Sequence, residues 1–230
     1  MKKIINLKRM VFIILQTVVF TSTISLLGTP QIKDNIIYKG KKYILLHNFP
    51  MENYFKKYPD KTPPKGCYVS STALWRGYVA TYVIKENQLY LKDIGIQDGE
   101  KSNERGVYST IWKSVMNEVF PNQKLVKINW VTGLFVLPKG KGNHNVPYGA
   151  YSIYENYIVL ELEKGVLKQE KEFTYEEYEE FKKQQFEAFK ETEEYEKEKE
   201  KLKRKKFTDE EVDSMIQFKI IEYSTKILVE

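Results

Sequence analysis

Cysteine and histidine are nearly missing from this 230-residue chain: Cys67 is its single thiol, and His47 and His144 are its two imidazoles. One cysteine cannot close an internal disulfide, so the fold must rest on its hydrophobic core. As a nucleophile Cys67 would need His47 or His144 as base, and no local Cys/His signature surrounds it; a small packing residue after Pro63 and Pro64 is the expected role. Two histidines leave no His-rich metal site, and no carboxylate cluster has metal-ligand spacing, so neither metal nor cofactor is expected. The chain also lacks G-x-S-x-G, H-E-x-x-H, a Rossmann fingerprint and a paired-carboxylate motif. The lysine- and glycine-containing stretch 138–147 does not have the spacing of a phosphate loop and reads as a solvated loop.

Excess charge is scarce too. The formal net charge is +6, but Lys2, Lys3, Lys8 and Arg9 all precede the first apolar run, and removing these four leaves +2. A body so close to neutral has no global field to steer it to phosphate backbones, and no RNP-like, zinc-finger or helix-turn-helix pattern appears. Nucleic acid is not the expected partner.

The one long hydrophobic run is at the N-terminus. A basic cluster leads into an uncharged stretch from Met10 to Gly28, of which 10–20 is strongly apolar and 21–25 small and polar. This fits a signal peptide with Thr23 and Ser25 at the −3 and −1 positions, although not as an Ala-x-Ala match. It also approaches the length of a minimal membrane span, which leaves an uncleaved anchor as the alternative. Either way residues from about 30 onward are expected outside the cytoplasm, periplasmic or extracellular, or membrane-anchored.

Residues 35–172 read as one α+β domain, an antiparallel sheet of hairpins packed by an amphipathic helix. A hairpin is expected around Lys39-Gly40-Lys41, and a central one over 70–94 with its break at Lys85-Glu86-Asn87. Met51, Tyr54, Phe55 and Tyr58 recur at helical spacing after Pro50. The stretch 95–106 reads as a polar connection. Tyr108, Ile111, Trp112, Val115 and Val119 make a stripe that predicts an amphipathic helix over 107–120, with Trp112 in the core. Further strands are expected over 124–138, with a turn or bulge at Gly133, then over 158–165 and 166–173. The tyrosine-dense stretch 148–157 reads as a half-buried edge.

Inside the first strand of the central hairpin, read as 72–84, lies one basic residue, Arg76, flanked by Trp75, Gly77 and Tyr78. Strand alternation places Arg76 on the same face as Tyr78 and Tyr82. Two readings stand side by side. The guanidinium offers its fork to a ligand carboxylate, with Trp75, Tyr78 and Tyr82 completing a binding face, or it pairs with an internal acid such as Asp93 or Glu155.

Residues 173–230 read as a charged tail of two helices. Phe173-Thr174 with Glu177, and Phe207-Thr208 with Glu211, each spell a capping box, with the phenylalanines set to staple onto Tyr178 and Val212. The first helix is expected to run through 176–206 with its far half a solvated arm. The second carries Val212, Met215, Ile216, Ile220, Tyr223 and Ile227 on one face and must cover something.

The blocks SSTALWRGYVATY (70–82), NWVTG (129–133), LPKGK (137–141) and YGAYSIYE…IVLELEKGVL (148–167) resemble those of a set of uncharacterised bacterial proteins that carry similar blocks in the same order. The resemblance implies one domain over 36–167 and brings no assigned activity. Composition and motifs together favour a non-enzymatic binding or interaction module, meeting another protein through the aromatic sheet face or the C-terminal helix, with the membrane a partner if the N-terminal segment stays uncleaved. The alternatives are an envelope-acting hydrolase using carboxylates such as Asp93, Glu155 or Glu161, and a toxin-immunity-type protein.

Overall fold

The computed structural model describes residues 31–64, 66, 72–143 and 153–228. The expected export segment, Cys67, His144 and residues 148–152 lie outside the described residues. The fold is α+β, built on a nine-stranded, mostly antiparallel sheet.

Two hairpins stand where the turn chemistry puts them. β1 (Asn35–Tyr38) and β2 (Lys41–Ile44) turn through Lys39 and Gly40 with φ of 47° and 76°. β3 (Tyr78–Lys85) and β4 (Gln88–Ser102) turn through Glu86 and Asn87 with φ of 49° and 59°. Two successive positive φ values match the right-handed twist of the flanking strands. β5 (Tyr108–Ser114) and β6 (Val126–Lys127) both pair with β4, while β7 (Gly133–Asn143), β8 (Ile153–Glu163) and β9 (Val166–Thr174) form a meander. The order is β2-β1-β3-β4-β9-β8-β7, with β1 and β3 parallel.

The sheet curls until its outer strands meet. Just past β2, Leu46 N–H donates to the Val136 carbonyl of β7 (3.1 Å), and the Asn48 amide donates to the Leu134 carbonyl (2.7 Å). The concave side holds the larger core, including Ile36, Tyr82, Leu89, Leu91, Ile94, Phe135 and Leu160. Leu89 and Leu91 could not share that side with Ile94 and Ile96 under strict alternation. Pairing jumps from Tyr82↔Leu91 to Thr81↔Asp93, so Lys92 is an extra residue, and this bulge resets the parity. Two short helices add to the same core, α1 (Pro50–Lys57) through Met51 and Phe55 and α2 (Met116–Val119) through Met116 and Val119.

The tail covers the convex side. α3 (Tyr175–Lys190), α4 (Glu193–Lys203), α5 (Asp209–Phe218) and α6 (Ile220–Tyr223) pack a second core against Leu134, Val136, Tyr157 and Val159 of β7 and β8. Both capping boxes form: Glu177 and Glu211 donate their N–H to Thr174 and Thr208 hydroxyls (3.3 Å each) and their carboxylates accept from the threonine N–H groups. Phe173 stacks on Phe181 (4.8 Å between centroids) instead of Tyr178, whose ring stacks on Tyr157 (4.3 Å).

Three expectations are corrected. The stretch 138–147, read as a solvated loop, is strand as far as Asn143, where β7 pairs with β8. Residues 95–102 are strand, continuing β4, and 108–114 are strand paired with them, so the amphipathic helix over 107–120 shrinks to the single turn of α2. The helical stripe was also a run of β-branched and aromatic residues, and the backbone of the long β4 left an edge for it to pair with. Consequently Tyr108, Ile111 and Trp112 are exposed, and Trp112, placed in the core by the stripe, is 43% exposed. The first tail helix is likewise not one rod with a solvated end. It breaks at Thr192, which caps α4 by accepting from Tyr195 N–H (3.3 Å), and Tyr195 is buried between Phe186 and Phe189.

Candidate functional site

The structure places Arg76 outside any strand. β3 begins at Tyr78, and Thr72–Leu74 form a 3-10 turn that closes through Gly77, whose φ of 76° lets its N–H donate to the Leu74 carbonyl (2.8 Å). The turn sends the guanidinium inward. Arg76 Nη1 donates to Asp34 Oδ1 at 3.0 Å, with the two side chains 1% and 0% exposed, and Nη2 donates to the Ile32 carbonyl (2.7 Å). Its plane lies 3.9 Å from the Phe49 ring centroid. Asp34 also accepts from Ala80 N–H (3.0 Å) and the Tyr82 hydroxyl (3.2 Å), so four groups converge on one carboxylate and its cation. Burial pushes the Asp34 carboxyl up, against the pull of Arg76 and the Ala80 N–H. Tyr78 and Tyr82 are 4% and 0% exposed, and burial raises both phenols; Trp75 alone of the expected binding face is open, at 60%. Arg76 therefore has an internal acid, and it is Asp34, in place of Asp93 or Glu155. The aromatic sheet face belongs to the core, and of the apolar residues of α5 Val212 and Ile216 are buried while Met215 and Phe218 stay exposed.

The three carboxylates considered for hydrolysis are not brought together. Asp93 accepts from the Ser114 hydroxyl (2.5 Å), Glu155 from Lys141 N–H (3.1 Å) and Glu161 from Ile227 N–H (2.8 Å). Glu155 and Glu161 are six residues apart on β8, roughly 20 Å along a strand. Among the described residues no three of His, Cys, Asp and Glu gather as metal ligands, and no helix is long and apolar enough to cross a membrane.

A cleft of about 550 Å³ lies elsewhere, lined by Asn53, Tyr54, Lys57, Tyr58, Lys61, Asn129 and Trp130. α1 builds one wall. Met51 and Phe55 take its buried face, and the i, i+4 pairs Asn53/Lys57 and Tyr54/Tyr58 fall on the other, continued by Lys61 in the 3-10 turn Pro59–Lys61. The opposite wall is the loop after β6. Gln88 Nε2 lies within reach of the Ile128 (2.8 Å) and Gly165 (3.0 Å) carbonyls, and Gly165 N–H donates to Val131 (2.7 Å), clamping residues 128–131 on both sides. Gly165 has φ of 75°, and a Cβ there would overlap the Ile128 carbonyl oxygen, so only glycine allows this approach.

The rings pack on one another. Tyr54 lies 4.9 Å from both Tyr58 and Trp130, centroid to centroid, and Trp130 Nε1–H donates to the Pro50 carbonyl (3.3 Å). The Lys57 and Lys61 ammonium groups stand 5.4 and 5.9 Å from the Tyr58 centroid, and among the described residues neither is in an ion pair. Lys56 next door is paired with Glu52 (2.8 Å). Sequence spacing assigned Tyr54 and Tyr58 to the core stripe; the signal it held was the second row, Asn53 and Lys57, beside them. Asn129 and Trp130 carried no local signal, because a tertiary clamp holds their loop. Comparison of the chain with protein-family models, with curated proteins and with solved structures returned no match.

Proposed function

We propose that the protein is a non-enzymatic binding module, exported or held at the membrane by residues 1–28, that takes its ligand in the cleft between α1 and the Asn129–Trp130 loop. The observation that carries this reading is the cleft itself. It has the size of a small-molecule site, an aromatic cluster and a few polar groups in its lining. The two walls are tied to each other and to the sheet: Trp130 bonds to Pro50 of α1, and its loop is held by Gln88 and Gly165. The reading moves the ligand away from Arg76, whose charge is consumed by Asp34. It also stands better than envelope hydrolysis, since Asp93, Glu155 and Glu161 face different partners.

A domain outside the cytoplasm meets cell-envelope polymers first, so enzymatically solubilised cell-wall fragments are the test material. The chain has three tryptophans, and with 15N-labelled indoles Trp130 reports on the cleft while Trp75 and Trp112 serve as controls. The Trp130 indole resonance is expected to move during titration, and Tyr58→Ala is expected to abolish the movement. A titration that leaves Trp130 still, or moves only Trp75 and Trp112, removes the cleft as the site. Export is tested separately by an alkaline phosphatase fusion after Lys33, which is expected to be active; a silent, cytoplasmic fusion overturns that half of the reading.

A further inference from the structure

Resting on the cleft reading above, we propose that the ligand is an acidic saccharide, a sugar ring lying against the exposed side of the Tyr54, Tyr58 and Trp130 cluster with its carboxylate held by Lys57 and Lys61. The anionic part follows from charge. Two ammonium groups stand near one ring, and among the described residues no carboxylate is in the cleft lining: Glu52 of α1 is occupied by Lys56, and Asp60, beside Lys61 in the 3-10 turn, is exposed outside the lining. Ammonium groups with no ion-pair partner among the described residues, both within 5.9 Å of the Tyr58 ring centroid, repel each other, and an anion between them relieves the repulsion.

The saccharide part follows from ring geometry. Holding a nucleobase between two rings takes two van der Waals contacts, roughly 7 Å between ring planes. Tyr54 is only 4.9 Å from Trp130 and from Tyr58, at interplanar angles of 36° and 45°, so the rings already fill each other's faces and leave no slot. What remains open is the outer side of the cluster, above all Tyr58, which is 39% exposed. An aromatic surface open on one side only suits a saturated ring, whose C–H bonds meet the free face while its hydroxyls turn outward. Asn53 and Asn129 supply, from opposite walls, amides that both donate and accept, which is what vicinal hydroxyls require.

The probes are trigalacturonic acid, the neutral trisaccharide maltotriose and a short oligodeoxythymidine, each titrated into the full chain with the three indole resonances as readout. The expected result is movement of Trp130 by trigalacturonic acid, with weaker binding to maltotriose and a loss that grows with salt. Lys57→Gln and Lys61→Gln, both on exposed positions, are expected to weaken it about fivefold each. Equal binding of the neutral trisaccharide, unchanged in the doubly substituted chain, overturns the acidic assignment while leaving the cleft a saccharide site. Tightest binding by the oligonucleotide overturns the saccharide assignment. If none of the three moves Trp130 the proposal falls, and the cell-wall titration decides independently whether the cleft binds anything.

Discussion

Arg76 and Asp34 meet at 3.0 Å with side chains 1% and 0% exposed, 42 residues apart in sequence. A pair this deep has little net worth when intact but a large cost when halved, because the survivor is a buried, unpaired charge. Arg76→Met is expected to lose roughly 3–5 kcal/mol of stability in urea melts. Adding Asp34→Asn to that variant is expected to restore part of the loss, since it removes the stranded carboxylate. An unchanged melt midpoint for Arg76→Met would show that the pair is energetically idle.

Gly165→Ala tests the clamp on the cleft. Its φ of 75° and the overlap of a Cβ with the Ile128 carbonyl oxygen both work against any side chain. A loss of roughly 2–4 kcal/mol is expected, together with a displaced Trp130 indole resonance. A stable variant whose Trp130 signal is unmoved would mean that the 128–131 loop is held by something else.

His47 gives a signed pH dependence. Burial, with the positive charges of Lys33 and Lys182, pushes its imidazole down to about 3. Below the ordinary histidine range the unfolded chain takes up a proton that the folded chain refuses. The contribution is therefore complete above about pH 6.5 and is lost as pH falls toward 3, amounting to about 2 kcal/mol by pH 5. Wild type is expected to lose that much more than His47→Gln between pH 7 and pH 5 in paired urea melts. Parallel profiles would place His47 in contact with water.

Tyr195 is the anchor of α4. Its ring is 4% exposed and its hydroxyl donates to Asp213 of α5 at 2.7 Å. Tyr195→Ala is expected to cost roughly 3 kcal/mol and to release the lysine-rich helix, so that trypsin cuts within 197–206 much earlier than in wild type. Equal cutting rates would show that α4 is already detached.

Local chemistry in the chain was enough to set the turns, the caps and most of the strands. Lys39-Gly40 and Glu86-Asn87 adopt the positive φ of the turns, and Thr174/Glu177 and Thr208/Glu211 satisfy their own helix ends. What the tertiary structure decided was every choice between two periodicities or two partners. Residues 108–114 carry a helical stripe and a β-prone composition at once, and the free edge of β4 selected the strand. Arg76 needed a carboxylate, and only the curl of the sheet put Asp34 beside it instead of Asp93 or Glu155. The cleft was the least legible feature. Half of it is an α1 surface row readable at i, i+4 spacing, but the other half is a loop whose position is set by Gln88 and by the missing side chain of Gly165, contacts that span 40 residues between Gln88 and Ile128 and leave no local pattern.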